Sequence, residues 1–199
     1  MEKSKLGPQT LLYPMPAVLV GAMVGEKPNF MTAAWCGIAA SKPPAISVAL
    51  QKIRHTLKGI KEHDTFSINV PSTTIAEQVD YCGIYSGKKR DKSELFNVFF
   101  GVLETAPLIQ ECPVNLECQV IHTLDLKSHE LLIGEILEEP GQSQPRTVHR
   151  DLRDLPLHVL PARNNAERQS IRSLVQQILN GNCVHCLPPA TYCRPGCLW

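Results

Sequence analysis

The sequence lacks any long hydrophobic run, and none of its 199 residues fall in an apolar stretch near the roughly 20 residues of a transmembrane helix. Residues 1–16 contain no apolar segment of the kind that a signal peptide requires. Twenty basic against nineteen acidic residues leave a net charge of only +1, too little to favour nucleic acid or an anionic membrane. We therefore expect a cytoplasmic protein whose partners are neither nucleic acids nor membranes.

Several common nucleotide-binding and catalytic motifs are also missing. The sequence contains no GxGxxG glycine loop, no Walker A loop and no clear catalytic triad. Its histidines His122 and His129 are more simply explained as barrel side chains with ordinary hydrogen bonds than as bases or metal ligands. We therefore assign no catalytic acid or base and no metal site.

The eight cysteines fall into two groups. Four are scattered among apolar segments without pair spacing, which is typical of buried thiols: Cys36, Cys82, Cys112 and Cys118. The other four lie in the last seventeen residues: Cys183, Cys186, Cys193 and Cys197. The first two of this tail group have a zinc-ligand spacing, but the two pairs are closer together than in a zinc ribbon. A disordered tail is therefore favoured over a metal site.

Hydrophobic patterns predict a small antiparallel β-barrel rather than a parallel α/β sheet, because short strands and turn signals alternate with few helices. Strands are predicted at 16–24, 30–40, 45–50 and 65–70, followed by a hairpin of 116–124 and 131–138. Two short helices are predicted at 55–63 and 72–83.

The middle of the predicted strand 30–40 is unusually thin. Small residues such as Thr32, Ala33, Ala34 and Gly37 stand where a buried strand carries bulk, with Trp35 among them. Because the side chains at these positions are small, a flat heterocycle can lie against the strand. The backbone N–H and C=O groups of the strand can then bind the edge of the heterocycle. On its own, however, this run is more often ordinary barrel packing.

A second signal lies at the junction between the strand 45–50 and the helix 55–63. Arg54, His55 and Thr56 stand at the predicted start of the helix, where free N–H groups and the helix dipole favour a phosphate. A polar loop adds further cations and a hydroxyl for an anion: Lys88, Lys89, Arg90, Lys92 and Ser93. Either segment alone is usually a solvated surface, but together with the thin strand they describe a site for a mononucleotide such as FMN.

Three runs carry a closer resemblance: "NFMTAAWCGIAASKPPAISVALQKIRHTLKGIKEHDTFSINVPS", "DYCGIYSGKKRDKSELF" and "APLIQECPVNLECQV". In their order and spacing they resemble the flavoredoxins of the flavin reductase-like family, over about residues 8–138. The resemblance implies a six-stranded antiparallel split β-barrel with Greek-key connections and short flanking helices. It also implies noncovalently bound FMN, a homodimer, and electrons received from NAD(P)H or from a redox protein donor.

The resemblance further implies which residues line the cofactor. The isoalloxazine would lie along residues 29 and 32–35, and the phosphate would lie near Thr56 and Lys92. With their neighbours these give twelve candidate cofactor-binding residues: Asn29, Thr32, Ala33, Ala34, Trp35, Cys36, Ser47, Leu50, Arg54, His55, Thr56 and Lys92. We expect an electron carrier or an NAD(P)H-linked flavin reductase; the alternatives are a non-catalytic flavin-binding module and a pyridoxamine-phosphate oxidase-like enzyme.

Residues 139–199 depart from the family, whose members continue into an aromatic-bearing stretch and a glycine-rich helix. We therefore treat 1–138 as the split-barrel domain and 139–199 as an atypical C-terminal segment. Apolar residues at helical spacing from Ile171 to Leu179 predict one helix over 165–180, before the cysteine-rich tail. Either a change of reading frame or a genuine alternative C-terminus explains the departure, and the helix favours the second.

Overall fold

The chain is described here by a computed structural model that covers residues 5, 7–12, 14–137 and 158–159. This part of the chain contains two α-helices, α1 (His55–His63) and α2 (Ala76–Ile84), and 3₁₀ turns at Thr73–Ile75 and Ser93–Leu95. It also contains eleven strands: β1 (Met15–Pro16), β2 (Val18–Val24), β3 (Lys27–Ala33), β4 (Cys36–Ser41), β5 (Pro44–Gln51), β6 (Thr65–Val70), β7 (Val98–Phe99), β8 (Leu108–Ile109), β9 (Val114–Leu126), β10 (His129–Leu137) and β11 (His158–Val159). No helix in the described ranges is long and apolar enough to cross a membrane.

Seven strands form one antiparallel sheet in the order β3–β2–β6–β9–β10–β5–β4. The prediction of an antiparallel β fold with short flanking helices is confirmed, but the predicted number of six strands is wrong. The thin segment 30–40, predicted as one strand, is divided between β3 and β4 in the structure. The chain leaves the ladder at residues 34 and 35, which become the link between two separate strands.

That link explains why the sheet closes. Strands β3 and β4 lie at opposite edges of the sheet, yet only residues 34 and 35 separate them in the chain. Three Cα–Cα steps span at most about 11 Å. The sheet must therefore curl until its two edge strands come close together, which is the geometry of a split barrel.

Helix α1 packs tightly against strand β2. Its apolar face buries Leu57 and Ile60, and it ends at Asp64, which has left-handed φ (53°) and donates its N–H to the Ile60 carbonyl at 2.8 Å. A Cβ added at Gly59 would lie 1.8 Å from the Met23 carbonyl oxygen, so glycine is what permits this close approach. The packing fixes the position of the helix N-terminus, where the site described below begins.

The barrel has two buried clusters. Its interior is filled by side chains from the strands and α1, among them Phe66, Ile68 and Leu132. A second cluster packs α2 and the following segment against the barrel, with Phe30 and Phe96 in edge-to-face contact at 5.5 Å between ring centroids. Because α2 is held in this way, the loop that follows it starts from a fixed point.

The predicted hairpin is confirmed as β9 and β10, joined at Lys127 and Ser128 and longer than the sequence pattern indicated. Strand β11 pairs with β1 in a separate two-stranded sheet that the sequence did not predict. The predicted helix 165–180 and the cysteine-rich tail lie outside the described residues. The division at residue 138 stays a prediction.

Candidate functional site

A cavity of about 280 Å³ opens between the start of β3, the N-terminus of α1 and the loop that follows α2. Strand β3 contributes Asn29, helix α1 contributes His55, and the loop contributes residues 87–92. Three segments that are far apart in the chain therefore meet at the helix start that the sequence indicated as an anion site.

Two buried polar side chains join β3 to α1 at the base of this cavity. The Asn29 Nδ2 donates to the Thr56 Oγ1 at 2.7 Å, and both residues are buried. A Cβ added at Gly87 would lie 2.0 Å from the Asn29 Oδ1 and 2.9 Å from the His55 Cδ2. The loop backbone therefore lies directly on Asn29 and His55, an approach that only glycine allows.

Lys92 is a buried cation in the cavity wall. It is only 2% exposed, and its Nζ donates to the carbonyls of Cys82 at 3.3 Å and Tyr85 at 3.2 Å. Burial lowers the pKa of the Lys92 ammonium, and the positive charge of Arg54 lowers it further. Among the described residues it forms no ion pair. Because buried charges in proteins are normally paired, this position fits an anionic ligand.

His55 is the first residue of α1 and faces the same cavity. Its pKa is lowered by burial and then by the charges of Lys88, Lys58 and Lys92, which disfavours the charged imidazolium form. Its Nδ1 is buried and has no hydrogen-bond partner in the described part of the chain. A polar ring atom without a partner, beside several cations, again favours a bound anion.

The only carboxylate among the cavity-lining residues is already engaged. Asp91 accepts hydrogen bonds from the Ser93 N–H at 3.0 Å and the Ser93 hydroxyl at 2.6 Å, and it pairs with Lys27 at 3.1 Å. These contacts, those of Ser93 first, lower the pKa of Asp91 to about 2. The remaining positive charge of the cavity therefore stays uncompensated by the residues that line it.

The other candidates near the thin segment lie along β3 and at its end. The Thr32 hydroxyl donates to the Val79 carbonyl of α2, and Ala33 is buried. Ala34 and Trp35 form the link between the two edge strands. The Trp35 ring is 42% exposed and stacks on His129, with ring centroids 4.7 Å apart and planes inclined by 23°.

The remaining candidates lie on β4, on β5 and just before α1. Burial raises the pKa of the Cys36 thiol to about 11. The Ser47 hydroxyl donates to the Gly37 carbonyl at 3.1 Å, and the Leu50 side chain is part of the barrel interior. Arg54 is exposed immediately before α1.

The structure thus brings Asn29, His55 and Lys92 together in the wall of one cavity, holds Thr56 against Asn29, and places Trp35 outside the cavity lining. Two contributors were not among the sequence-based candidates. Gly87 has a sequence signal, because it precedes the run of cations in the loop. The stacking of His129 on Trp35 has none, since it joins residues on strands that are distant in the chain.

Within the described residues, no group of three or more His, Cys, Asp or Glu side chains is placed to hold a metal ion. The four tail cysteines lie outside those residues.

A curled antiparallel sheet whose two edge strands are joined by a two-residue link, with a cationic cavity at a helix start, has the geometry of a small split barrel. The sequence profile described as the "Flavin reductase like domain" matches residues 10–149, so the chain belongs to this family, as the sequence resemblance predicted. It is similar to the flavoredoxin of Methanosarcina acetivorans, with 36% identity and a TM-score of 0.70 over 87% of this chain and 100% of that one. It is also similar to the flavoredoxin of Desulfovibrio vulgaris (Miyazaki F), with 40% identity and a TM-score of 0.63 over 69% and 75% of the two chains. A protein of Archaeoglobus fulgidus is 36% identical over 63% of this chain and 72% of its own length.

Proposed function

We propose that the protein is an FMN-binding oxidoreductase of the flavin reductase-like family. The observation that carries the proposal is the buried Lys92, which has no ion-pair partner among the described residues and lines the same cavity of about 280 Å³ as His55 at the start of α1. Strand β3 begins beside this cavity and leads to the thin segment and Trp35. One end of the site therefore suits a phosphate and the other suits a flat ring.

The residues around the cavity fit the phosphate end of FMN. Lys92 supplies a charge, and the His55 ring and the first N–H groups of α1 supply donors. The Thr56 hydroxyl accepts from Asn29 and keeps its own proton for donation. A bound flavin would supply the electron chemistry. The protein would bind and orient it, keep water from the ring and hold the phosphate.

Two roles follow from this site, and the relatives support one of them. Both of the similar solved proteins reported above are named flavoredoxins. This favours an electron carrier that is reduced by another redox protein. The second role, an NAD(P)H-linked flavin reductase, is supported by the uncompensated cations at the mouth of the cavity.

Absorption spectra test the proposal directly. Purified protein mixed with FMN and freed of excess ligand should keep the bands of oxidised flavin, and dithionite should bleach them. Oxidation of NADPH or NADH by the loaded protein would then identify a reductase, whereas bleaching by dithionite alone would identify a carrier. Protein that stays colourless after incubation with FMN would contradict flavin binding in any role.

We also propose a homodimer, because an apolar row crosses the outer face of the sheet near Trp35. Core residues Val48 and Leu132 point inward, so the neighbouring Ala49 and Leu131 point outward, and register pairs Leu131 with Leu124. Leu124 is 56% exposed. A second subunit over this face would cover the ring end of the site.

Light scattering should report about twice the 22.1 kDa chain mass. Leu124→Asp should shift the protein toward monomer. Ile53→Asp, a matched change at an exposed residue outside the row, should leave the dimer intact. A monomeric wild type that still binds FMN would overturn the dimer and leave the flavin proposal standing.

A further inference from the structure

The loop after α2 is an ordered turn that gathers three cations. The N–H groups of Lys89 and Arg90 both donate to the Ser86 carbonyl, at 3.0 and 3.1 Å, and the Lys88 N–H donates to the Ser86 hydroxyl at 3.3 Å. Gly87 seats the turn on Asn29 and His55. The three cationic side chains are therefore held on one short turn at the mouth of the cavity.

The charge of this turn exceeds what one phosphate requires. Five Lys and Arg side chains line the cavity, and the single lining carboxylate, Asp91, is bound to Lys27 and Ser93. A phosphate monoester carries at most two negative charges near neutral pH. Lys92 and the start of α1 suffice for one such group, and Lys88, Lys89 and Arg90 have no ion-pair partner within the part of the chain that the structure describes. Cations crowded in this way repel one another unless a second anion binds.

An aromatic surface lies directly beside the turn. Tyr85 precedes Ser86, its side chain is 44% exposed, and its ring packs on that of Tyr81 with centroids 4.4 Å apart. An exposed ring held by a second ring is a platform on which a nucleic-acid base can stack, because such stacking requires only a π-face. Cations for a phosphate and a platform for a base thus occupy neighbouring residues.

We propose that Tyr85 and the turn Lys88–Lys89–Arg90 form a second subsite, which binds an adenosine that carries a 2′-phosphate. This inference rests on the second role of the proposed function, the NAD(P)H-linked reductase, under which the ligand is the adenosine 2′-phosphate half of NADPH. The subsite would then favour NADPH over NADH as the electron donor.

The geometry favours a small ligand over an acidic protein partner. The three cations are consecutive residues at the mouth of a concave cavity, whereas a specific protein interface spreads over roughly 800 Å² on each partner. A phosphate on an adenosine needs only a few donors beside a flat surface, and this turn with Tyr85 provides both.

Calorimetric titration with 2′,5′-ADP and 5′-AMP tests the subsite without any redox reaction. We expect FMN-loaded protein to bind 2′,5′-ADP at least about tenfold more tightly than 5′-AMP, because only the first ligand carries the additional phosphate. Lys88→Ala/Lys89→Ala should remove most of this difference, whereas Lys88→Arg/Lys89→Arg should retain it. Tyr85→Ala should weaken both ligands alike.

The control is Lys5→Ala/Lys42→Ala, which removes two exposed charges outside the cavity and should change nothing. The proposal would be overturned if the two ligands bound with equal affinity or if neither bound. It would also be overturned if the preference for 2′,5′-ADP survived in Lys88→Ala/Lys89→Ala. Inorganic phosphate that competes as strongly as 2′,5′-ADP would overturn it too, since the base would then contribute nothing. If the protein does not take up FMN, the proposed function fails, but the same titration of unloaded protein still tests the subsite.

Discussion

The two ends of β3 differ sharply in what surrounds them. At its start, Asn29 is buried beside a cationic cavity, and every polar contact there serves to hold a loop or a helix end in place. Just beyond its end, in the link to β4, Trp35 is partly exposed and its ring stacks on that of His129. The first environment is suited to a charged group, and the second is suited to a flat uncharged one.

The distance between these two environments fits a ligand that has a charged group at one end and a flat ring at the other. Residues 29 and 35 are six residues apart, or about 20 Å of extended chain. A ligand with a phosphate at one end and a ring system at the other can contact both environments along one strand. Affinity for the phosphate and the position of the ring should therefore be separable, because the charged groups lie at one end and Trp35 lies at the other. FMN and riboflavin, which differ only in the phosphate, measure the two ends separately.

The largest expected effect comes from adding a methyl group at Gly87, where the loop backbone lies against Asn29. The Cβ added by Gly87→Ala would collide with the Asn29 Oδ1. Either the Asn29 side chain must then break its hydrogen bond to Thr56, or the loop must move away from the cavity together with its cations. We expect FMN to bind about a hundredfold more weakly, since more than one charge-assisted hydrogen bond is lost, and riboflavin to change far less. Titration followed by flavin fluorescence measures both ligands.

The control for this change is Gly83→Ala in α2, whose added Cβ would meet Thr32 at an ordinary contact distance of 3.5 Å. It should retain FMN affinity. An unchanged FMN affinity in Gly87→Ala would show that the loop does not need its present position.

The next effect concerns the buried cation. Lys92→Ala removes one charge-assisted hydrogen bond to the phosphate, worth about 1.5–3 kcal/mol, so FMN should bind roughly ten- to a hundredfold more weakly. Riboflavin should bind equally to both proteins. The variant should also lose some thermal stability, because the Cys82 and Tyr85 carbonyls lose a donor. Lys42→Ala, an exposed change outside the cavity, serves as the control, and FMN affinity equal to wild type would remove Lys92 from the site.

Much of this contrast was visible in the sequence. The strand at 65–70 and the helix at 55–63 have the predicted bounds, because their periodicity and end residues are local signals. The sequence also indicated the helix start and the cation-rich loop, because both signals are local, and the structure places these two segments beside one another.

The break in the thin segment was not visible, and its cause is not local. Residues 34 and 35 leave the ladder because β3 and β4 must reach opposite edges of a sheet that closes on itself. Small residues show no change of period at that point. Two contacts could not be predicted for the same reason: the stacking of His129 on Trp35 and the contact of Gly87 with Asn29. Each joins segments that only the folded barrel brings together.

A smaller effect concerns the protonation of His55. Because burial and the cations lower its pKa, the free protein should titrate this ring below the usual value of about 6.5, with imidazolium present only at lower pH. A phosphate beside the ring counteracts those cations, so bound FMN should raise the midpoint and riboflavin should not. Histidine NMR titration, with His55→Gln to identify the resonance, measures this. A free-protein midpoint at or above 6.5 would contradict it.

The smallest effect tests the opposite end of β3. His129→Ala removes the ring that supports one face of Trp35, and a stacked pair contributes about 0.5–1.5 kcal/mol. Affinity should fall only a few fold, and by the same factor for FMN and riboflavin, because the change touches the ring end and not the phosphate. Trp35 emission, measured with Trp199→Phe so that one tryptophan remains, should shift toward that of an exposed indole. His122→Ala, a matched change at an exposed position of β9, should alter neither affinity nor emission. If His129→Ala weakens FMN but spares riboflavin, the assignment of charge to one end of β3 and shape to the other is wrong.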